Sequence, residues 1–133
     1  MESLLPLLLL ISITSVIGLT LRAKKGVIKK GTRVKIAEGE FGGKYGSRLT
    51  ILQFSTTFCS ECRTAKAIVK DVVKDSKDIT YVEVDAESNL DLARRVDIRS
   101  TPTTIFLDSK GFEIARAKGA PKRDQLIKAI KAI

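Results

Sequence analysis

Histidine and tryptophan are missing from this 133-residue chain, methionine occurs only at position 1, and there are just two cysteines. Without histidine there is no Ser-His-Asp triad, no imidazole base and no histidine metal ligand. Two cysteines fall short of a four-thiolate zinc site and of the several bridges of a secreted disulfide scaffold. Aromatic side chains make up 5% of residues, too few for an obvious nucleic-acid stacking platform. Acidic residues are also short, 15 against 24 basic ones, and the resulting charge of +9 invites a nucleic-acid reading. What remains is a globular composition, 44% hydrophobic and 29% charged, at a length suited to one ordinary domain.

The charge is concentrated in one place. Residues 22–48 carry nine basic side chains against Glu38 and Glu40, whereas residues 49–133 balance 15 basic with 12 acidic ones. The basic stretch directly follows an uncharged apolar run, Ser3 to Leu21. As a helix that run spans roughly 28 Å, close to the hydrocarbon thickness of a bilayer. A cleaved signal peptide would have a basic start, a shorter apolar run and an A-x-A-like site, all of which are lacking. The expectation is a retained transmembrane anchor at 1–21 followed by a Gly-rich basic juxtamembrane linker at 22–48, in which Val34 and Ile36 are the one candidate for a short strand. Lys and Arg gathered on the C-terminal flank favour N-terminus out and the remainder in the cytoplasm. They would also be drawn to anionic headgroups. No nucleic-acid partner is expected, because the domain's own charges are mixed.

From Leu49 to the C-terminus the pattern is regular. LTILQF (49–54) and TYVEVD (80–85) read as strands, and Ala65, Ile68, Val69, Val72 and Val73 line one face of a helix between them. Strand, helix, strand implies a parallel pair with a right-handed crossover. A short helix follows, with Leu90, Ala93 and Val96 on its inner side. TTIFL (103–107), the turn DSKG (108–111) and FEIARA (112–117) form a hairpin, with Gly111 at positive φ. Leu126, Ile127, Ile130 and Ile133 define a last amphipathic helix. The expected α/β core is βαβαββα, a mixed sheet of about four strands with helices on both faces.

Cys59-Ser60-Glu61-Cys62 falls at the junction of the first strand and the long helix. A cysteine in the first turn meets unpaired backbone N–H groups and the positive end of the helix dipole, which favours its thiolate. The second cysteine lies one turn on, placed to attack a mixed disulfide at Cys59 and release the substrate as a dithiol. Such a pair needs no cofactor and no metal.

QFSTTFCSECR (53–63), VEVDAES (82–88), DIRSTPT (97–103), LDSKGFEIARA (107–117) and Gly119-Ala120 together resemble the thioredoxin family, particularly its membrane-anchored bacterial members. The resemblance spans residues 49–133. It implies a thioredoxin-like fold, a redox disulfide Cys59–Cys62, an exposed nucleophile at Cys59 and a buried resolving thiol at Cys62. It further implies a cis Thr101-Pro102 bond beside the disulfide. The substrate groove would then be shaped by Phe58, Ser60, Glu61, Thr101, Pro102, Gly119 and Ala120. Its partners would be disulfide-containing proteins and a reductase or other electron donor.

The chain departs from the family at several of these positions. Phe58 replaces the usual Trp, Ser60-Glu61 replaces Gly-Pro, and Gln53 stands where thioredoxins bury an Asp. The Lys that often accompanies that Asp aligns with Tyr81. Glutamine cannot take a proton as a carboxylate does. Glu61 should raise the thiol pKa values, with Arg63 and Lys66 opposing it. The reading reached is a membrane-tethered thiol–disulfide oxidoreductase. Its rivals are a soft-metal binder, such as for Cu(I), using the two thiolates, and a non-catalytic thioredoxin-fold scaffold at the membrane.

Overall fold

The computed structural model describes residues 4–133. Met1, Glu2 and Ser3, counted in the expected anchor, lie outside the described residues. Helix α1 (Leu4–Lys24) is apolar on every side and none of its residues is buried against the rest of the protein. It is long and apolar enough to cross a membrane.

The architecture is organised by β2 (Leu49–Ser55), all seven residues of which are buried. A strand buried on both faces needs cover on each. Its apolar run pairs in parallel with β3 (Ile79–Asp85), from Leu49 opposite Ile79 to Ser55 opposite Asp85. On its other side it pairs antiparallel with β4 (Thr103–Leu107), which turns back into β5 (Glu113–Lys118). Helix α3 (Ser60–Val73) makes the crossover from β2 to β3. Its inner face of Cys62, Ala65, Val69 and Val73 packs with α5 (Arg123–Ala132) over Leu49, Ile51 and Phe106. Leu52, Phe54, Ile105 and Leu107 point the other way, onto α4 (Leu90–Arg95). Phe54 and Phe106, fully buried on opposite faces, each contribute roughly 1.5–3 kcal/mol by leaving water.

The β4–β5 hairpin closes as the sequence predicts. Gly111 has φ of 87°, and the Asp108 carboxylate accepts from the N–H groups of Lys110 and Phe112. In α4 the inward residues are Leu92, Ala93 and Val96, whereas Leu90 is exposed. Leu90 is the first helical residue, and the first turn presents it outward.

The largest difference concerns residues 22–48, expected as a linker. Beyond Lys24 this segment is packed onto the domain. Strand β1 (Ile28–Lys30) pairs antiparallel with Ala115–Ala117, giving a five-stranded sheet in the order β1-β5-β4-β2-β3 rather than four strands. The backbone bonding continues past β1 through Gly31, Arg33 and Glu113 to Ile36, whose N–H reaches the carbonyl of Gly111. Ile36 and Phe41, the latter in the short helix α2 (Glu38–Phe41), then bury themselves in the core beside α4. The cause is the open edge of β5. Its unpaired backbone groups accept any extended neighbour, whatever that neighbour's side chains.

Candidate active site

The sheet delivers three pieces to one end of the molecule. Strand β2 stops at Ser55 and the chain turns through Thr56, Thr57 and Phe58 into α3. Cys59 is the N-cap of that helix, with extended backbone (φ −124°), and its Sγ accepts from the backbone N–H of Cys62 at 3.1 Å. The two sulfurs form a disulfide with Cα atoms 5.2 Å apart. Cys59 is half-buried, whereas Cys62 is only 4% exposed.

The second piece is the turn before β4. The Thr101-Pro102 bond is cis, and Thr101 Oγ1 lies 3.7 Å from Cys59 Sγ and 3.2 Å from Thr56 Oγ1. The third is the end of β5, where the Gly119 N–H donates to the Pro102 carbonyl at 2.7 Å. Phe58, Ser60, Glu61, Thr101 and Gly119 all border one cavity of about 490 Å³ with Cys59. Pro102 is buried behind Thr101 and, like Ala120, does not line the cavity. Sequence reasoning missed Lys118, together with Leu21 and Lys24 at the end of α1 and Lys25 just beyond it, which form another wall. Only the basic run after the apolar segment marked that region. Lys25 Nζ pairs with Glu61 at 3.4 Å, and Lys66 pairs with Glu83 rather than with Glu61.

Under the disulfide lies a neutral polar network. Gln53 is fully buried on the α3 side of β2, and its Nε2 donates to the Cys62 carbonyl and to Ser55 Oγ, both at 2.9 Å. Its Oε1 accepts from the Tyr81 hydroxyl at 2.8 Å. Burial, with the nearby Glu83 charge adding to it, pushes the Tyr81 phenol above its ordinary pKa, so it stays a donor. Every hydrogen-bonding group of the glutamine amide is therefore engaged. Tyr81→Phe would leave Gln53 Oε1 buried without a donor. Unfolding by denaturant should then show a loss of about 1–3 kcal/mol. An unchanged midpoint would refute the role given to this hydroxyl.

A second cavity, about 290 Å³, opens beside Cys62 toward Lys66, Glu83 and Asp85. Bonds from the Ser88 hydroxyl and the Glu87 N–H hold the Asp85 carboxyl below the usual carboxylate range. Among the described residues, no three His, Cys, Asp or Glu side chains lie together as a metal-binding group.

The arrangement can do one thing well. It presents a half-exposed sulfur, bonded to a buried one, at a helix N-terminus beside a groove. The sequence pattern of the family described as Thioredoxin matches residues 34–132. A thioredoxin of Ophiophagus hannah is 29% identical over 65% of this chain and 80% of its own length. One from Mycoplasmoides gallisepticum is 28% identical over 59% of this chain and 78% of its own. Among solved structures, a malaria parasite thioredoxin-2, described as a component of the parasite's protein secretion machinery, superposes with a TM-score of 0.59. It is 29% identical, over 65% of this chain and 84% of that one. Fasciola hepatica thioredoxin gives 0.58 at 25% identity, over 65% and 82% of the two chains.

Proposed function

Since the chain belongs to the thioredoxin family and is a thiol–disulfide oxidoreductase, we propose that it works tethered to a membrane by α1, with its thioredoxin-like domain in the cytoplasm. Cys59 is the attacking sulfur and Cys62 the resolving one. The observation that carries the assignment is their unequal burial: only Cys59 is open to an incoming substrate.

In the reducing direction the Cys59 thiolate attacks one sulfur of the substrate disulfide. A mixed disulfide forms and the other substrate sulfur leaves as a thiolate, which takes up a proton. Cys62 then loses its proton to solvent through the cavity toward Lys66 and Glu83 and attacks Cys59 Sγ. The substrate departs as a dithiol, and the protein is left with the Cys59–Cys62 disulfide. Two electrons have moved, and an external dithiol donor restores the starting state. The helix N-terminus and the Cys62 N–H, both aimed at Cys59, favour its thiolate. Phe58, Ser60, Glu61, Thr101 and Gly119 shape the groove for the substrate segment, with Pro102 setting the position of Thr101.

The tether reading is supported by the uncharged, wholly exposed stretch of α1 from Leu4 to Leu21, and the orientation by Arg22 and Lys24 in its last turn with Lys25 just beyond. Membranes of cells producing the full chain should retain it through alkaline carbonate extraction. An impermeant phosphine reductant followed by an impermeant maleimide should leave Cys59 unlabelled until the cells are opened. Release by carbonate would refute the anchor, and labelling of intact cells would refute the orientation.

A further inference from the structure

We propose that the groove beside Cys59 takes disulfides lying at the membrane surface, in acidic segments next to the end of another protein's membrane span. This rests on the reading of α1 as an anchor and adds to it a substrate class.

The reasoning starts from the joint between α1 and the domain. Only Lys25, Gly26 and Val27 separate the end of α1 from β1. Three residues reach about 10 Å even when fully extended. They are not free to extend, because the Gly26 N–H donates to the Lys118 carbonyl at 2.6 Å. Gly26 has φ of +73°, and a Cβ there would stand 2.1 Å from the Ala120 carbonyl oxygen. The joint is thus a close backbone-to-backbone contact at the end of β5, next to Gly119. Lys25 adds its ion pair with Glu61, inside the CSEC motif itself.

This joint sets the site against the bilayer. Leu21, the last apolar residue before Arg22, borders the same cavity as Cys59 and Thr101. Where the span ends, the groove begins. Phe58 is 99% exposed immediately before Cys59 and borders that cavity too. An apolar ring left bare to water suits the boundary between headgroups and acyl chains. Lys24 and Lys118 also border the groove, and its one lining acid, Glu61, is paired with Lys25, which leaves the lining net positive. A substrate segment carrying acidic residues beside its cysteines complements that charge. The exchange is the one already written: the dithiol gives two electrons and two protons to the substrate disulfide.

The test uses the full chain, reduced beforehand, in liposomes. Two single-span peptides carry the same Glu-flanked Cys-x4-Cys disulfide loop. In one the loop adjoins the end of the span. In the other a rigid helical spacer of about 20 residues raises it roughly 30 Å. The adjoining loop should be reduced at least about tenfold faster in a single turnover, because only it reaches the groove. Replacing its two Glu by Lys should slow it severalfold. A variant with a 12-residue Gly-Ser insertion between Lys25 and Gly26 should reduce both loops at similar rates. Resistance of its domain to limited proteolysis, compared with the native chain, serves as the check on folding. If that resistance is lost, the ratio measured for the native chain alone decides. Equal rates from a native chain that floats with the liposomes would overturn this proposal and leave the anchor standing. A chain that does not float with them would overturn both.

Discussion

Cys59→Ser should lower disulfide reduction to background, a loss of roughly 10³-fold or more, because a serine hydroxyl at neutral pH supplies no comparable nucleophile. Cys62→Ser should behave differently. Its Cys59 still attacks, nothing resolves the product, and the covalent complex with substrate accumulates. The pair of variants therefore tests the order of events as well as the identity of the residues. Single-turnover reduction of a model protein disulfide gives the rate, and non-reducing electrophoresis with mass spectrometry finds the adduct. The assignment comes from Cys62 being 4% exposed while Cys59 sits half-open at the N-cap of α3. Should Cys59→Ser form the adduct and Cys62→Ser form none, the roles are reversed. If both variants retain native rates, the cysteines are not the redox centre.

Arg116→Met should remove about 3–5 kcal/mol of stability, a large part of what a domain of this size commonly has. Glu113 is fully buried, and Arg116 grips its carboxylate at both oxygens, at 2.6 and 3.0 Å. Thr32 donates to the same carboxylate at 2.6 Å. The methionine would retain much of the packing and remove the charge. Glu113 would then keep one hydroxyl donor for a buried anion. The double variant Glu113→Gln, Arg116→Met should recover most of the loss, since the amide carries no charge to be stranded. Denaturant unfolding of the full chain in nonionic detergent measures all three. A single variant as stable as the native chain would show that the pair is not holding β5 to the segment around Thr32.

The features legible in the sequence were those written in neighbouring residues. The face Ala65, Val69, Val73 lies within one helix, DSKG lies within one turn, and CSEC carries its chemistry in four positions. The docking of residues 28–41 was not legible. It is made chiefly by backbone groups of β1 and the following chain against the open edge of β5, and backbone bonding leaves little trace in side-chain identity. Ile36 and Phe41 are buried there and Ile28 and Val34 pack partly against the cores, but glycines and lysines dilute them in the sequence. Leu90 was misplaced because a six-residue helix is too short for its periodicity to decide the face, and Leu92 rather than Leu90 joins Ala93 and Val96 on the buried side. Gln53 and Tyr81 both stood out as departures, but the hydrogen bond between them, across 28 residues and two parallel strands, is a contact that only the fold makes. Lys25 entered the site because a short joint folds the helix end back against Glu61, and no periodicity encodes that.

The Gln53–Tyr81 network under the disulfide is neutral. With an amide in place of a carboxylate, the floor beneath Cys62 has the same charge before and after the bond opens. When the bond opens Cys62 leaves as a thiolate and then takes up its proton from solvent, while the amide beneath it stays neutral throughout. With Cys62 protonated again, the floor of Gln53 and Tyr81 holds no ion in either resting redox state, and the only charge that comes and goes is the one on the sulfur itself.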